Sequence, residues 1–250
     1  EDKYDTSKDP KDITRIYVYT DDDNPKITKE NKLPANITII SGESGVNSVT
    51  DAGTIKLRGN STALADKPAY NISFNNKHRL FADAKEGKKW CLLANAFDKT
   101  LLRNKLAMDL GKYLGGVAAP EERFADLYIN GKLKGSYLIS EPAENGRSGI
   151  QYDETNDTDM LFELEVEKVE ADVLYHVTDL GVRFAVEDIA EDSATYTNYK
   201  TTLKTFETAL QNTSSDEVFN LIDVDSFVSM YIVNELFKTV DFGYSSVKFY

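Results

Sequence analysis

The chain has 250 residues, of which 41% are hydrophobic and 28% are charged. This balance is typical of globular proteins and leaves room for one large domain or two lobes. The formal net charge of −13 excludes a general DNA- or RNA-binding role, because neutralising phosphates needs a basic surface. No apolar stretch has the length that a membrane span needs.

The single cysteine, Cys91, lies in the apolar run WCLLAN, where we expect it to be buried. One cysteine cannot form an intrachain disulfide, which fits the cytosol or an exported protein that does without disulfides. The two histidines, His78 and His176, lack neighbours at metal-ligand spacing, so we expect no zinc site. The first residues, EDKYDTSKDP, look trimmed and contain no signal peptide, which leaves export open.

Five runs in the first part of the chain alternate apolar and polar residues and predict β-strands. Polar, turn-forming segments such as DDDNPK and SGESG separate them, so we expect antiparallel pairing. The runs are ITRIYVYT (13–20), ANITIIS (35–41), AGTIKLRG (52–59), YNISFNN (70–76) and KKWCLLAN (88–95).

After Asp98 the spacing of the apolar residues changes from strand-like to helical, so DKTLLRNKLAMDLGKYLGG predicts a helix. Asp98 or Thr100 can cap its start, and Gly115 can end it. Its leucines recur at helical spacing, at Leu101, Leu102, Leu106, Leu110 and Leu114. A hairpin follows, in which RFADLYING and KLKGSYLISE are joined through Asn130 and Gly131, a strong hairpin signal.

A polar connector, PAENGRSGIQYDETNDTDM, follows Glu141 and divides the chain into residues 1–141 and 142–250. The second region contains three predicted strands, MLFELEVE, DVLYHVT and LGVRFAV. Two predicted helices follow, SATYTNYKTTLKTFETALQN and VDSFVSMYIVNELFKTV, and the chain closes on the strand YSSVKFY. This order of strands, helix, hairpin and a mixed second region indicates an α+β fold.

The stretch IKLRGNST, residues 55–62, ends a strand with an arginine, a glycine and three small polar side chains. Gly59 followed by Asn60 and Ser61 is ordinary turn chemistry. Arg58 is also the kind of side chain that grips carboxylate or phosphate, and glycine permits close backbone approach to a ligand. The residues alone leave both readings open, with the turn favoured.

Five segments together resemble the CotH kinase family, atypical kinases related to spore coat protein H. They are LRGNST (57–62), KKWCLLANAFDKTLLRNKLAMDLG (88–111), ADLYINGKLKGSYLISE (125–141), LGVRFAV (180–186) and DVDSFVSMYIVNELFKTVD (223–241). The resemblance implies a two-lobed atypical protein-kinase-like fold, with a β-rich N-terminal lobe that carries one main helix and a mixed α/β C-terminal lobe. It also implies ATP and Mg²⁺ or Mn²⁺ as cofactors and serine in a protein as the acceptor.

The resemblance implies roles for residues of the first region. Arg58, Asn60 and Ser61 would contact phosphate, and Lys67 would supply the cation that phosphoryl transfer needs. Read from the residues alone, Lys67 is equally an exposed lysine before a turn proline. Where relatives often carry a further lysine, this chain has Ser73, with Lys77 four residues later.

On the predicted helix, Arg103 and Asn104 fall in the most family-like segment. Arg103 could order an acidic side chain there, or it could be a surface arginine. Glu141 would lie at a hinge and hydrogen-bond the nucleotide, although a glutamate at a strand end is also commonplace.

Asn234 and Asp241 stand seven residues apart on the last predicted helix, about two turns along one face. A carboxylate at a helix C-terminus is disfavoured by the helix dipole, and a cation nearby would stabilise it. The resemblance makes Asp241 a catalytic or metal-linked acid, and a C-terminal cap is the alternative.

A second acidic motif resembling W-D-x-D is implied further along than Tyr250, so we expect only half of a metal site within these residues. Two functions follow: a Mg-ATP-dependent kinase that phosphorylates protein serine, or a non-catalytic kinase-like scaffold or binding module. An extracellular, cell-surface or spore-coat location is expected, with the cytoplasm as the alternative.

Overall fold

The computed structural model describes residues 12–166, 173–186, 189–212 and 215–250. The chain forms two compact units. The first comprises the residues up to Asp109 together with Ala119–Gly149, and the second comprises Leu110–Ala118 and Ile150–Tyr250.

Seven strands of the first unit form a closed barrel in the order β1-β2-β3-β4-β5-β7-β6. Every neighbouring pair is antiparallel except the one that closes the barrel, in which β1 pairs parallel to β6. The strands are β1 (Thr14–Tyr19), β2 (Leu33–Ile40), β3 (Val49–Arg58), β4 (Ala69–His78), β5 (Gly87–Leu93), β6 (Glu122–Ile129) and β7 (Lys132–Ser140).

The barrel interior is filled by the apolar residues of each alternating strand, because successive side chains of a strand point to opposite faces. Ile16 and Val18 of β1 and Ile37 of β2 are fully buried. They share one core cluster with Trp90 of β5 and Leu127 of β6. The apolar half of each alternation in the sequence is therefore the half that faces inward.

Strand direction defines two ends of the barrel. We call barrel mouth the end at which β1, β3, β5 and β6 finish and β2, β4 and β7 begin. The predicted hairpin lies at this mouth, where Asn130 and Gly131 both have positive φ, 47° and 76°. This is the two-residue turn that Asn-Gly favours, so the hairpin prediction is confirmed.

Helix α1 (Arg103–Leu114) follows the strands β1–β5 and begins later than predicted. Leu101 has a φ of +61°, which interrupts the helix, and the Asp98 carboxylate accepts the N–H of Arg103 at 2.8 Å. Asp98 therefore does satisfy a helix N–H, as a cap would, but from five residues upstream. Gly115, with a φ of +71°, ends the helix as predicted.

The second unit contains a four-stranded antiparallel sheet in the order β11-β8-β10-β9. Its elements are β8 (Phe162–Glu165), β9 (Leu174–Val177), β10 (Arg183–Val186), α2 (Ala194–Gln211), α3 (Ser215–Phe219), α4 (Val224–Phe237) and β11 (Ser245–Phe249). Tyr199 and Leu203 of α2 pack on this sheet with Met160, Val186 and Phe162. The predicted strands and helices are all present, although Glu167 and Asp172, included in two of them, lie outside the described residues.

The prediction of a two-lobed atypical protein-kinase-like fold is wrong. The N-terminal strands form a closed seven-stranded barrel rather than the β-rich lobe of a kinase, and a four-stranded sheet with few helices stands where the mixed α/β C-terminal lobe of a kinase was expected. The physical reason is the parallel β1–β6 contact, which joins residues more than 100 positions apart in the sequence. Local alternation predicts strands but says nothing about which distant strand completes a sheet.

Within the described ranges, no helix combines the length and the apolar character needed to cross a membrane.

Replacing Ile16 with alanine should test the closing strand. Ile16 is fully buried between β2 and β6, so Ile16→Ala should lower the free energy of unfolding by about 2–5 kcal/mol. Tyr19→Ala, on the same strand but 49% exposed, should change it by about 0.5 kcal/mol. Urea denaturation measures both, and equal effects of the two variants would contradict a closed interior at β1.

Asp51 of β3 should make stability depend on acid pH. Its Oδ2 accepts a hydrogen bond from His78 Nε2 at 2.9 Å and from Asn76 N at 3.0 Å, and these bonds lower the pKa of Asp51 below 3.8. Because the pKa of Asp51 is lower in the folded chain than in the unfolded chain, its carboxylate stabilises the fold at pH values above the unfolded-state pKa. This stabilisation is lost as the pH falls through the folded-state pKa. Asp51→Asn should therefore be destabilising at pH 6, with the difference from the native chain shrinking below about pH 4 in urea titrations. A difference that stays constant from pH 6 to pH 2.5 would rule out this linkage.

Candidate functional site

The loop after β3 adopts a compact turn at the barrel mouth. Gly59 has a φ of +84°, and a Cβ built there would lie 2.0 Å from Thr62 Oγ1. Thr62 Oγ1 in turn donates to the Arg58 carbonyl at 3.3 Å, and a single 3₁₀ turn, Ser61–Leu64, follows. Gly59 is therefore required both by backbone angle and by space. Of the two interpretations of IKLRGNST, the turn is therefore correct, and the contact with phosphate stays a prediction.

The predicted phosphate-contacting side chains all lie on the exposed side of this turn. Arg58, Asn60 and Ser61 are exposed, and Arg58 occupies the last residue of β3, where it pairs with Ala69 of β4. Asn60 Oδ1 accepts a hydrogen bond from Lys29 Nζ at 2.7 Å. The turn thus presents a guanidinium and small polar groups from a rigid strand end.

Lys67 lies in the same connection, and its ammonium is held inside the protein surface. Lys67 Nζ donates to the carbonyl of Ala94 at 3.0 Å and to that of Ser136, and it lies 4.6 Å from the centre of the Tyr137 ring. Burial lowers the pKa of Lys67, and the nearby carboxylate of Asp126 partly opposes this. Because an ammonium has three N–H donors, the two carbonyl bonds leave one for a ligand. Ser73 is a half-buried residue of β4, and Lys77 is exposed.

Asn95 joins the end of β5 to helix α1 and was missed at the sequence level. Its Nδ2 donates to the Leu101 carbonyl at 2.9 Å, and its Oδ1 accepts from Asn104 Nδ2 at 2.8 Å. Asn95 and Leu101 both have positive φ, 52° and 61°. Asparagine tolerates this conformation because its short polar side chain can bond locally, whereas leucine is strained in it. Asn95 directly follows Ala94, whose carbonyl binds Lys67, so it fixes the backbone on which the lysine rests. The signal for it was its position in the family-like segment WCLLAN.

Arg103 begins helix α1 and is exposed, as is Asn104. The backbone N–H of Arg103 binds Asp98, and this bond is the largest cause of a lowered Asp98 pKa, with the Thr100 hydroxyl next. The charge of Arg103 also favours the Asp98 carboxylate. Arg103 therefore does stand next to an acidic side chain, on the surface.

Glu141 follows β7 at the end of the barrel opposite the mouth, where it is buried. Its carboxylate accepts three backbone N–H groups, from Lys85 at 2.8 Å, Ser148 at 3.1 Å and Glu121 at 3.2 Å. The guanidinium of Arg147, also buried, lies 3.7 Å from it and 4.3 Å from the Trp90 ring. These contacts organise three chain segments, while binding of a nucleotide by Glu141 stays a prediction.

Asn234 and Asp241 belong to the second unit, and the helix does not connect them as predicted. Helix α4 ends at Phe237, because Lys238 takes a left-handed conformation with a φ of +50°. Asn234 donates its Nδ2 to the Met230 carbonyl of its own helix at 2.8 Å. Asp241 is exposed in the following turn, where its carbonyl accepts the N–H groups of Tyr244 and Ser245. The prediction that both residues share one helical face is wrong.

A divalent metal site does not emerge from the described residues. No group of three His, Cys, Asp or Glu side chains within them is arranged to hold a metal ion. Magnesium is usually bound through one or two carboxylates with waters and phosphate oxygens, so an exposed Asp241 alone does not fit a formed site. The sequence-based assignment of Asp241 as a metal ligand stays a prediction.

Asn95 offers a direct test of the link between β5 and α1. Asn95→Ala loses two hydrogen bonds and puts a Cβ without polar compensation at positive φ, so it should cost about 2–4 kcal/mol of unfolding free energy. Asn95→Gly also loses the bonds but relaxes the backbone and should recover about 1 kcal/mol of that loss. Urea denaturation of both variants decides the matter: a glycine variant no more stable than the alanine variant would mean that backbone conformation is not what Asn95 provides.

The chain was compared with known proteins. No curated protein matches it significantly. The family model described as CotH kinase protein matches residues 55–250, well over half of the chain, and this range includes the turn after β3, Lys67, Asn95, Glu141 and Asp241. The chain belongs to the CotH kinase protein family.

Proposed function

We propose that the chain acts as a CotH-like protein kinase, which transfers phosphate from ATP to a serine of a protein substrate with the help of Mg²⁺ or Mn²⁺. The observation that carries this proposal is the family match over residues 55–250, which supports a kinase and, in general terms, its nucleotide and metal. The arrangement at the barrel mouth is compatible with it.

The barrel mouth supplies fixed cationic groups of the kind that phosphoryl transfer requires. Charge spreads over the transferring oxygens, so the protein contributes mainly positioning and electrostatic stabilisation. Arg58 at a strand end can bind phosphate oxygens through two parallel N–H bonds. Lys67 comes from the same connection and has one ammonium donor left for a ligand. Because its side chain is already held in place, little further side-chain entropy is lost when a ligand binds.

The role of the second unit in this proposal rests on Asp241 and Asn234. An exposed carboxylate in a turn can accept a proton from a serine hydroxyl, and we assign that task to Asp241. Asn234 uses one of its two amide N–H donors for its own helix, so the second N–H and the carbonyl oxygen can serve a ligand. The described residues do not form a site for a metal ion.

The second candidate function is a non-catalytic scaffold or binding module of a cell-surface, spore-coat or extracellular assembly. One observation favours it: Ser73 stands where the resemblance implies a lysine. Such a module would keep the barrel and the compact turn but would not transfer phosphate.

Nucleotide binding should depend on Arg58 and Lys67. At ATP concentrations a hundred times the dissociation constant, with MgCl₂ present, the native chain should gain about 2.7 kcal/mol of stability. Arg58→Ala and Lys67→Met should each lose most of that gain, because each removes a cation facing phosphate. Lys77→Ala, an exposed lysine on β4 outside the mouth, should retain it. Thermal unfolding with and without Mg-ATP measures these shifts.

Phosphate transfer from radiolabelled ATP, to the chain itself and to a panel of serine peptides, separates the two functions. A kinase should label serine, and Asp241→Asn should abolish labelling while preserving the Mg-ATP stabilisation. Stabilisation without any labelling in the native chain would favour the scaffold. Absence of both signals would refute the kinase proposal for this chain.

A further inference from the structure

A pocket of about 320 Å³ opens at the barrel mouth, beside the turn after β3 but not formed by its predicted phosphate-contacting side chains. One wall is the connection between β1 and β2, residues 20–32, which we call the mouth loop. The pocket is lined by Asp23, Asn24, Pro25, Ile27, Leu57, Ala63, Pro68, Tyr70, Ile129, Lys132 and Lys134. It lies entirely within the first unit.

The mouth loop is fastened to the β6–β7 hairpin. Asn130 Oδ1 accepts the N–H of Thr20 at 2.9 Å, and Asn130 Nδ2 donates to the carbonyl of Asp22 at 2.6 Å. Lys132 Nζ adds a bond to Asn24 Oδ1 at 3.1 Å. With the bond from Asn130 Nδ2 to Thr20 Oγ1 at 2.9 Å, four hydrogen bonds hold this side of the pocket wall in place.

The other side of the mouth loop is fastened to β3. The backbone N–H of Leu57 donates to the carbonyl of Thr28 at 2.9 Å, and Lys29 binds Asn60. A wall held at both ends means that the pocket is formed before a ligand arrives, which lowers the entropic cost of binding.

The lining combines an apolar floor with a charged rim of two lysines and one aspartate. Tyr70 and Ile129 at the floor are 6% and 4% exposed, and Leu57 is half-buried beside them. Lys132 and Lys134 of β7 both line the pocket and both are exposed, and a bulge leaves Lys134 without a partner residue on β6. Two ammonium groups on one edge of an apolar pocket fit a ligand that carries a negative charge on a hydrophobic body.

We propose that this pocket binds a small organic carboxylate with an apolar body, at a site separate from that of the nucleotide. Its volume falls within the range of about 300–1,000 Å³ that is usual for small-molecule sites, which also favour the mouths of β-barrels. The carboxylate lies against Lys132 and Lys134, and the apolar body rests on Tyr70 and Ile129. Among the lining residues, the two ammonium groups outnumber the single carboxylate of Asp23, so the rim is net cationic in a chain of net charge −13.

One wall of the pocket lies outside the residues that the family model matches. The mouth loop wall, with Asp23 to Ile27, precedes residue 55, where the family match begins. A site that needs this wall is therefore not accounted for by the nucleotide and metal that the family implies.

Benzoate is the probe, because it places one carboxylate on a rigid apolar ring, and benzamide is its neutral counterpart. Titrations followed by amide chemical shifts should show benzoate binding at least tenfold more tightly than benzamide. The double variant Lys132→Gln with Lys134→Gln should weaken benzoate binding at least tenfold, since it removes both cations. Lys77→Gln, at an exposed β4 position away from the pocket, should leave benzoate binding unchanged.

Competition between Mg-ATP and benzoate tests this inference independently of the proposed function. It should not displace benzoate, and the double lysine variant should keep its stabilisation by Mg-ATP. No benzoate binding, equal binding of benzoate and benzamide, undiminished binding in the double variant, or displacement by Mg-ATP would each overturn the carboxylate site. Loss of the Mg-ATP effect with benzoate binding intact would count against the kinase proposal alone.

Discussion

The parallel pairing of β1 with β6 is the contact on which the first unit depends. Its register runs from Thr14 against Ala125 to Val18 against Ile129, and it turns a seven-stranded sheet into a barrel without free edges. Closure brings the inner faces of all seven strands around one core, so that Ile16 and Trp90 are both fully buried. It also brings the mouth loop, the turn after β3 and the β6–β7 hairpin to one end.

At that end, one set of residues serves structure and proposed function together. Lys67 joins the end of β5 to the middle of β7 through the carbonyls of Ala94 and Ser136, and it is also the lysine proposed to bind phosphate. Asn95 takes a left-handed conformation beside it, which asparagine tolerates, and its side chain binds the Leu101 carbonyl ahead of α1. A cation held in this way is well positioned but partly desolvated, which explains why burial lowers its pKa.

Membership of a kinase family and a closed barrel are compatible, because function resides in sites rather than in folds. The predicted site residues are divided between the units: those from Arg58 to Glu141 belong to the first, and Asn234 and Asp241 belong to the second. Within the first unit they are divided again, since Arg58 and Lys67 lie at the mouth and Glu141 lies at the opposite end. The Glu141 carboxylate, with three backbone N–H groups and Arg147, has a clear structural role of its own.

The sequence by itself determined the strands, the Asn130-Gly131 hairpin, the end of α1 at Gly115 and the family, because periodicity, turn chemistry and motifs are properties of neighbouring residues. Only the tertiary structure decided that β1 meets β6, that Lys67 rests on the carbonyls of two other strands, and that α4 stops before Asp241. The first two are contacts between residues far apart in the sequence, which leave no local pattern. The third depends on a single backbone conformation at Lys238, to which apolar spacing is insensitive.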